Sequence, residues 1–153
     1  MRLSEMLKPA NIKLGLEAKA KTDAIKELVD LLATNGEVQD AKKVLDAVLE
    51  RETTRTTGIG NGLAIPHGKC NGTDHLIMAL GKAKTPIDFQ AIDGRPVSLI
   101  WLLGSPPHLT GQHIHALARI SRLMTIDKFR IAVGGAKTAE ELFELIVQQE
   151  NQL

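Results

Sequence analysis

The sequence predicts an α/β fold, a mixed β-sheet with helices packed on both faces. Three observations lead there. The chain has 153 residues, a length that suits one domain of about 150 residues around one core. Helical periodicity fills the first and last thirds, with two helices before the centre and three after it. Between them, short apolar runs punctuated by glycine and proline read as several strands. No linker, repeat or low-complexity tract divides the chain, so residues 1–153 are expected to form a single domain.

Each element has its own signal. After a short opening turn, Ile12, Leu14 and Leu16 alternate as in a strand. Thr22 is placed to cap a helix with Ile25, Leu28, Val29 and Leu32 on one face, stopped by Asn35-Gly36. Asp40 opens a second helix whose stripe is Ala41, Val44, Leu45, Val48 and Leu49, the clearest helical spacing in the chain. Leu63 to Ile65 and Leu76 to Leu80 are short apolar runs, and Ile87-Asp88-Phe89 alternates. Asp93-Gly94 marks a turn, and Val97 to Leu103 reads as a buried strand. Thr110 is placed to cap a helix running to about Met124, and Asp127 a short one ended by Gly134-Gly135. Thr138 and Glu141 form a capping-box pattern before Leu142, Leu145 and Ile146. The order of strands in the sheet is not encoded in these patterns.

Composition narrows the functional classes. Hydrophobic residues make up 43% and charged residues 24% of the chain, ordinary globular values. A net charge of +1 provides no electrostatic footprint for duplex nucleic acid. With no Tyr, and only Phe89, Phe129, Phe143 and Trp101 as aromatics, a base-stacking platform is not expected either. Cys70 is the only cysteine, so an internal disulfide is impossible. The N-terminus is broken by Glu5, Lys8 and Pro9 and has no continuous apolar core. Apolar runs such as Leu99 to Leu103 fall far short of the roughly 20 residues that span a bilayer. A cytoplasmic protein without membrane insertion is expected.

Chemistry concentrates in Thr57 to Lys69, TGIGNGLAIPHGK. Gly58, Gly60 and Gly62 alternate with Ile59 and Asn61, so the backbone can turn tightly or approach a ligand closely. The spacing is neither a dinucleotide fingerprint nor a P-loop, since five residues separate Gly62 from Gly68 and Cys70 replaces the Ser or Thr. A plain loop between a helix and a strand is the alternative to a phosphate cradle. His67 follows Pro66, which fixes the backbone before it, and precedes Gly68, which removes bulk after it. A stiffly held imidazole at a strand end, with an ordinary pKa of about 6.5, is either a nucleophile or a structural histidine.

A second group, His113-Ile114-His115, opens a predicted helix. His113, Leu117, Ile120 and Met124 share a stripe, so His113 faces inward, whereas His115 lies roughly 200° around the helix. In the first turn the helix dipole favours an anion and lowers the imidazole's pKa. A half-buried His bonded to backbone is the alternative. His67, Cys70, His75, His108, His113 and His115 offer enough nitrogen and sulfur for zinc, but two helical residues one position apart cannot face one ion. No metal or cofactor is expected. Arg51 and Arg55 flank Glu52 at a helix end, as a solvated charge cluster or as phosphate contacts.

With these residues in view, the sequence resembles the enzyme IIA component of the fructose–mannitol class of the bacterial phosphoenolpyruvate-dependent phosphotransferase system. Within that class it is most similar to the nitrogen-regulatory branch. The likeness rests on TGIGNGLAIPHGK, on Arg51 sixteen residues before His67, on QHIHAL with His113 46 residues after it, and on PIDFQAIDGRPVSLIWLLGSP. It covers essentially the whole chain. Leu63 stands where Ile is common in the family, a volume-conserving change.

The resemblance implies an α/β/α fold around a mixed sheet. It implies that His67 accepts a phosphoryl group from an HPr-type phosphocarrier, with His113 as second active-site histidine and Arg51 as active-site arginine. Gly58, Gly60, Asn61 and Gly62 are then expected to offer backbone N–H groups to phosphate, and Ile59 to help dock the donor. Downstream stands either a IIB domain of a sugar-uptake system or a protein controlled by the phosphorylation state. The chain carries no IIB or membrane segment, which favours the regulatory role.

Overall fold

The computed structural model covers residues 1–153, and β1 through β6 join in one mixed sheet. A one-turn helix α1 (Leu3–Met6) and a 3₁₀ turn (Pro9–Asn11) lead into β1 (Ile12–Leu16). Helices α2 (Lys21–Thr34) and α3 (Ala41–Thr54) follow, then the short strands β2 (Gly58–Gly60), β3 (Leu63–Ala64) and β4 (His67–Lys69). The long strands β5 (Ile77–Ile87) and β6 (Val97–Ser105) precede α4 (Thr110–Leu123), α5 (Asp127–Gly135) and α6 (Ala139–Glu150).

The strand order is β1-β5-β6-β3-β2, with β4 also on β6. β5 pairs antiparallel with β6 and parallel with β1, and β3 and β4 both run parallel to β6. Period-two alternation along β6 feeds two cores. Leu99, Trp101 and Leu103 join the cluster beneath α1, α4, α5 and α6, whereas Ile100 and Leu102 join the one beneath α2 and α3. The expected helices on both faces are therefore present.

Boundaries differ from expectation at three caps. α2 starts with Lys21, leaving Thr22 inside its first turn after Ala20. The 3₁₀ turn Pro107–Leu109 carries the chain straight into α4, so Thr110 is helical and its hydroxyl donates to the Pro107 carbonyl at 2.8 Å. Asp127 is the first residue of α5 rather than its cap and accepts a hydrogen bond from Arg130. Its carboxylate still lies where the helix dipole favours negative charge. Asp40 and Thr138 cap as expected, accepting from the N–H groups of Lys43 and Glu141. β5 extends past its apolar start through Lys82–Pro86, pairing with β1 as far as Ala83 and meeting β6 again at Ile87 after a break in register.

Candidate active site

Site geometry begins where the sheet loses a strand. β3 and β4 lie end to end along β6, but β2 accompanies only β3, which leaves β4 as an open edge. Pro66, between them, has no N–H to give, while its carbonyl accepts from Leu103 N at 3.0 Å. His67 follows at once, half-buried, with Nδ1 2.7 Å from the Ile65 carbonyl. A carbonyl only accepts, so Nδ1 carries the proton and Nε2 presents its lone pair. Burial lowers the imidazole's pKa most; the Ile65 bond raises it, and the Arg51 and Lys69 charges lower it further.

Helix α3 covers one side of this edge. Gly68 permits that: a Cβ there would lie 2.9 Å from backbone atoms of Ala47 and Val48. The missing side chain therefore lets a helix lie against the strand. Arg51 lies one turn beyond Ala47 and is thereby carried to His67. Its side chain donates to the Arg55 carbonyl at 3.0 Å, and its other guanidinium donors remain available. Glu52, buried beside it, accepts from Thr57 N at 2.8 Å, Thr57 Oγ1 at 2.6 Å and Lys21 Nζ at 3.3 Å. These bonds tie the end of α3 to the start of the glycine segment.

Helix α4 closes the other side. His113 faces inward as expected and is only 3% exposed, with its ring 5.5 Å from that of His67 in an edge-to-face arrangement. Its Nδ1 is 2.6 Å from the Ser105 hydroxyl. The pKa of His113 is lowered to about 4, first by burial and then by His67 and Lys69. Burial, not the helix N-terminus, is the main cause. Both imidazoles are neutral at pH 7. An open depression of about 530 Å³ lies between the two helices, lined by Arg51, His67, Lys69, His113, Ile114 and Leu117 among others. A smaller groove of about 240 Å³ shares Arg51, His67 and Leu117 and adds Arg55, Ile59 and Ile92.

The structure brings His67, His113 and Arg51 together, but it does not bring the glycines to them. Gly58 and Gly60 belong to β2, and Asn61 (φ +58°) and Gly62 (φ +74°) make its turn into β3. The Asn61 N–H donates to the Asp93 carboxylate at 3.1 Å. That bond takes the Asn61 N–H and sets a negative charge at the turn, which disfavours phosphate there. None of Gly58, Gly60, Asn61 and Gly62 lines either depression. Ile59 does line the smaller one and is 40% exposed.

His115 faces away and bonds the Met1 carbonyl, as the helical angle predicts. His75 pairs with Asp74, and Cys70 accepts from Gly72 N. No group of three metal-ligating side chains converges. Sequence reasoning missed Lys69 and Ser105. Lys69 was findable, because it lies two residues beyond His67 and a strand turns both to one side. Ser105 joins the site through its hydrogen bond to His113 and its register with Lys69 of β4, neither of which a sequence period reports.

Comparison with known proteins sets this geometry in a family. The family model described as phosphoenolpyruvate-dependent sugar phosphotransferase system, EIIA 2, matches residues 5–149. The chain belongs to this family. It is therefore a phosphotransferase-system component of the EIIA type. It is 31% identical over 150 residues to the PTS system fructose-specific EIIABC component of Bacillus subtilis, covering 98% of this chain and 24% of that protein. It is 30% identical over 151 residues to a nitrogen regulatory protein of Pseudomonas aeruginosa, covering 99% of this chain and 98% of that one.

Among solved structures, nitrogen regulatory protein IIA-Ntr from Neisseria meningitidis superimposes with a TM-score of 0.83 at 28% identity, covering 94% of this chain and 98% of that one. IIA mannitol from Escherichia coli shares the fold with a TM-score of 0.78 at 20% identity, covering 92% and 98%. No helix of the chain is long and apolar enough to cross a membrane.

Proposed function

We propose that this chain carries a phosphoryl group on Nε2 of His67, received from the phosphohistidine of an HPr-type protein. The observation that carries the proposal is the neutral His67 ring at the open edge of β4, its Nδ1 tied to Ile65 and its Nε2 free. The Nε2 lone pair attacks phosphorus, a new P–N bond forms, and the donor's P–N bond breaks with its electron pair returning to the donor imidazole. His67 then holds a positive ring, and its Nδ1–H donates more strongly to the Ile65 carbonyl. Arg51 offers a permanent positive charge and His113 a neutral donor to the phosphoryl oxygens. The transferred bond is already activated, so His67, His113 and Arg51 complete the chemistry without a metal. Exposed Ile59, Ile92 and Ile114 around the two depressions suit a transient protein partner in the cytoplasm.

We place the chain on the regulatory branch, where the phosphorylation state controls binding to another protein. Likeness to IIA-Ntr, at 28% identity and a TM-score of 0.83, supports this over likeness to IIA mannitol, at 20% and 0.78. Sugar uptake is the second reading, favoured by the 31% identity to the fructose-specific Bacillus protein. Incubation with phosphoenolpyruvate, its phosphotransferase and an HPr-type donor, followed by mass spectrometry, tests the carrier role. Phosphate is expected on His67 and absent from His67→Ala; phosphate on His113 instead reverses the roles. Chelator in excess is expected to leave the transfer unchanged. Passage of phosphate onward to a IIB domain marks uptake, and binding of a protein in only one phosphorylation state marks regulation.

A further inference from the structure

We propose that Ser105 is a positioning residue whose hydroxyl donates to Nδ1 of His113, fixing that ring as the Nε2–H tautomer that faces the phosphoryl group. The proposal rests on the carrier role of His67 and on His113 as a donor beside it.

Ser105 is completely buried, and its place is set by the sheet rather than by a loop. It ends β6, stands in register with Lys69 of β4, and its carbonyl accepts from Cys70 N at 3.0 Å. Its hydroxyl is therefore held by the pairing that also holds His67. The hydroxyl has one hydrogen-bond partner, Nδ1 of His113 at 2.6 Å. A neutral imidazole has a single N–H, so two arrangements are possible. If Nδ1–H donated to Ser105, the buried hydroxyl proton would have no acceptor, and Nε2 would turn a bare lone pair toward phosphate oxygens. If Ser105 donates, its proton is satisfied and Nε2–H becomes a donor. A buried donor left unpaired costs more than an acceptor with a spare lone pair, so the second arrangement prevails.

The two histidines then differ through the atom behind each ring. Behind His67 stands a carbonyl, which only accepts, so Nε2 is bare and nucleophilic. Behind His113 stands a hydroxyl whose proton has nowhere else to go, so Nε2 is protonated and donates. Similar rings 5.5 Å apart are thus assigned opposite tasks, and His113 is kept from competing for the phosphoryl group.

Nitrogen-15 NMR of the unphosphorylated wild-type chain near pH 7.5 reads both tautomers directly. Nδ1–H at His67 and Nε2–H at His113 are expected; Nδ1–H at His113 would overturn the proposal. This arm needs no variant to fold and no transfer to occur, so it fails or survives independently of the carrier role. In Ser105→Ala the lost hydrogen bond is expected to slow transfer at saturating donor by roughly three- to tenfold, with half-saturation unchanged. Ser105→Thr, which keeps the hydroxyl, is expected to restore most of the rate. A Ser105→Ala chain that transfers at the wild-type rate also overturns the proposal. Phosphate retained by His67→Ala, with the tautomers as expected, would instead sink the carrier role and leave standing only the tautomer that Ser105 sets at His113.

Discussion

The two ends of the Thr57–Lys69 segment lie in one continuous motif but have opposite surroundings. Its glycine end is a closed hairpin: β2 pairs with β3, the Asn61 N–H is given to Asp93, and the Gly62 carbonyl accepts from Ser98 and Leu99. Its histidine end is an open edge, with β6 on one side and no strand on the other. Two helices from opposite layers of the fold fill the space around that edge, and they bring Arg51 and His113. Glycines near a reactive residue in sequence therefore need not touch its substrate. At the glycine end they shape a turn; at Gly68 the missing Cβ lets α3 lie against the strand.

The sharpest test of the contrast is at the open end. Arg51→Ala and His113→Ala are each expected to slow transfer by about ten- to a thousand-fold, as for one lost donor of roughly 1.4–4 kcal/mol. Phosphate should still form on His67. Thermal unfolding of both variants separates lost chemistry from lost packing, because His113 lies on an apolar stripe and its truncation leaves a cavity. A slow His113→Ala that also melts far below wild type would make His113 a core residue only.

Gly68→Ala is expected to come next. The new Cβ meets the α3 backbone at 2.9 Å, so the helix must shift and carry Arg51 with it. Overpacking of this kind costs about 1–3 kcal/mol of stability, read by denaturant unfolding, with a slower transfer beside it. A Gly68→Ala chain that keeps both its stability and its rate would show that α3 is not seated by this contact.

A smaller effect follows pH. His113 titrates at about 4 in the folded chain and near its ordinary 6.5 when unfolded. Between those values the unfolded chain binds more protons, so stability is full above about pH 6.5 and drains as the pH falls toward 4. His67 acts in the same direction. Melting temperatures from pH 7 to 4 should fall for wild type and fall less steeply for His113→Gln. An equal slope in both would remove His113 from the cause.

The smallest effect belongs to the closed end. Asn61→Gly keeps the left-handed turn and removes only the side chain, so transfer should stay within about twofold of wild type. A large loss there would restore the glycine turn to the site. His115→Ala, on the outer side of α4, is likewise expected to leave transfer unchanged.

Sequence by itself determined much of this protein. Helical and strand periods located α2 through α6 and the two long strands, because burial on one face imposes 3.6- and 2-residue repeats on any chain. The same angular reasoning separated His113 from His115, and a Pro-His-Gly setting within a long family motif singled out His67. Tertiary structure alone decided the rest. Cap positions moved where a 3₁₀ turn fed directly into α4, a matter of local hydrogen bonding that side-chain preference does not fix. Phe89 and Ala91 stay buried by alternation although β5 has ended at Ile87 and Gln90 takes a positive φ. The glycine turn went to Asp93, thirty-two residues from Asn61. Ser105 met His113 where β6 turns directly into α4, and the β4–β6 register set that pair beside His67. Periodicity reports how a residue faces its own element, but a site is made of contacts between elements, and those are set by which strands pair and where a pairing stops.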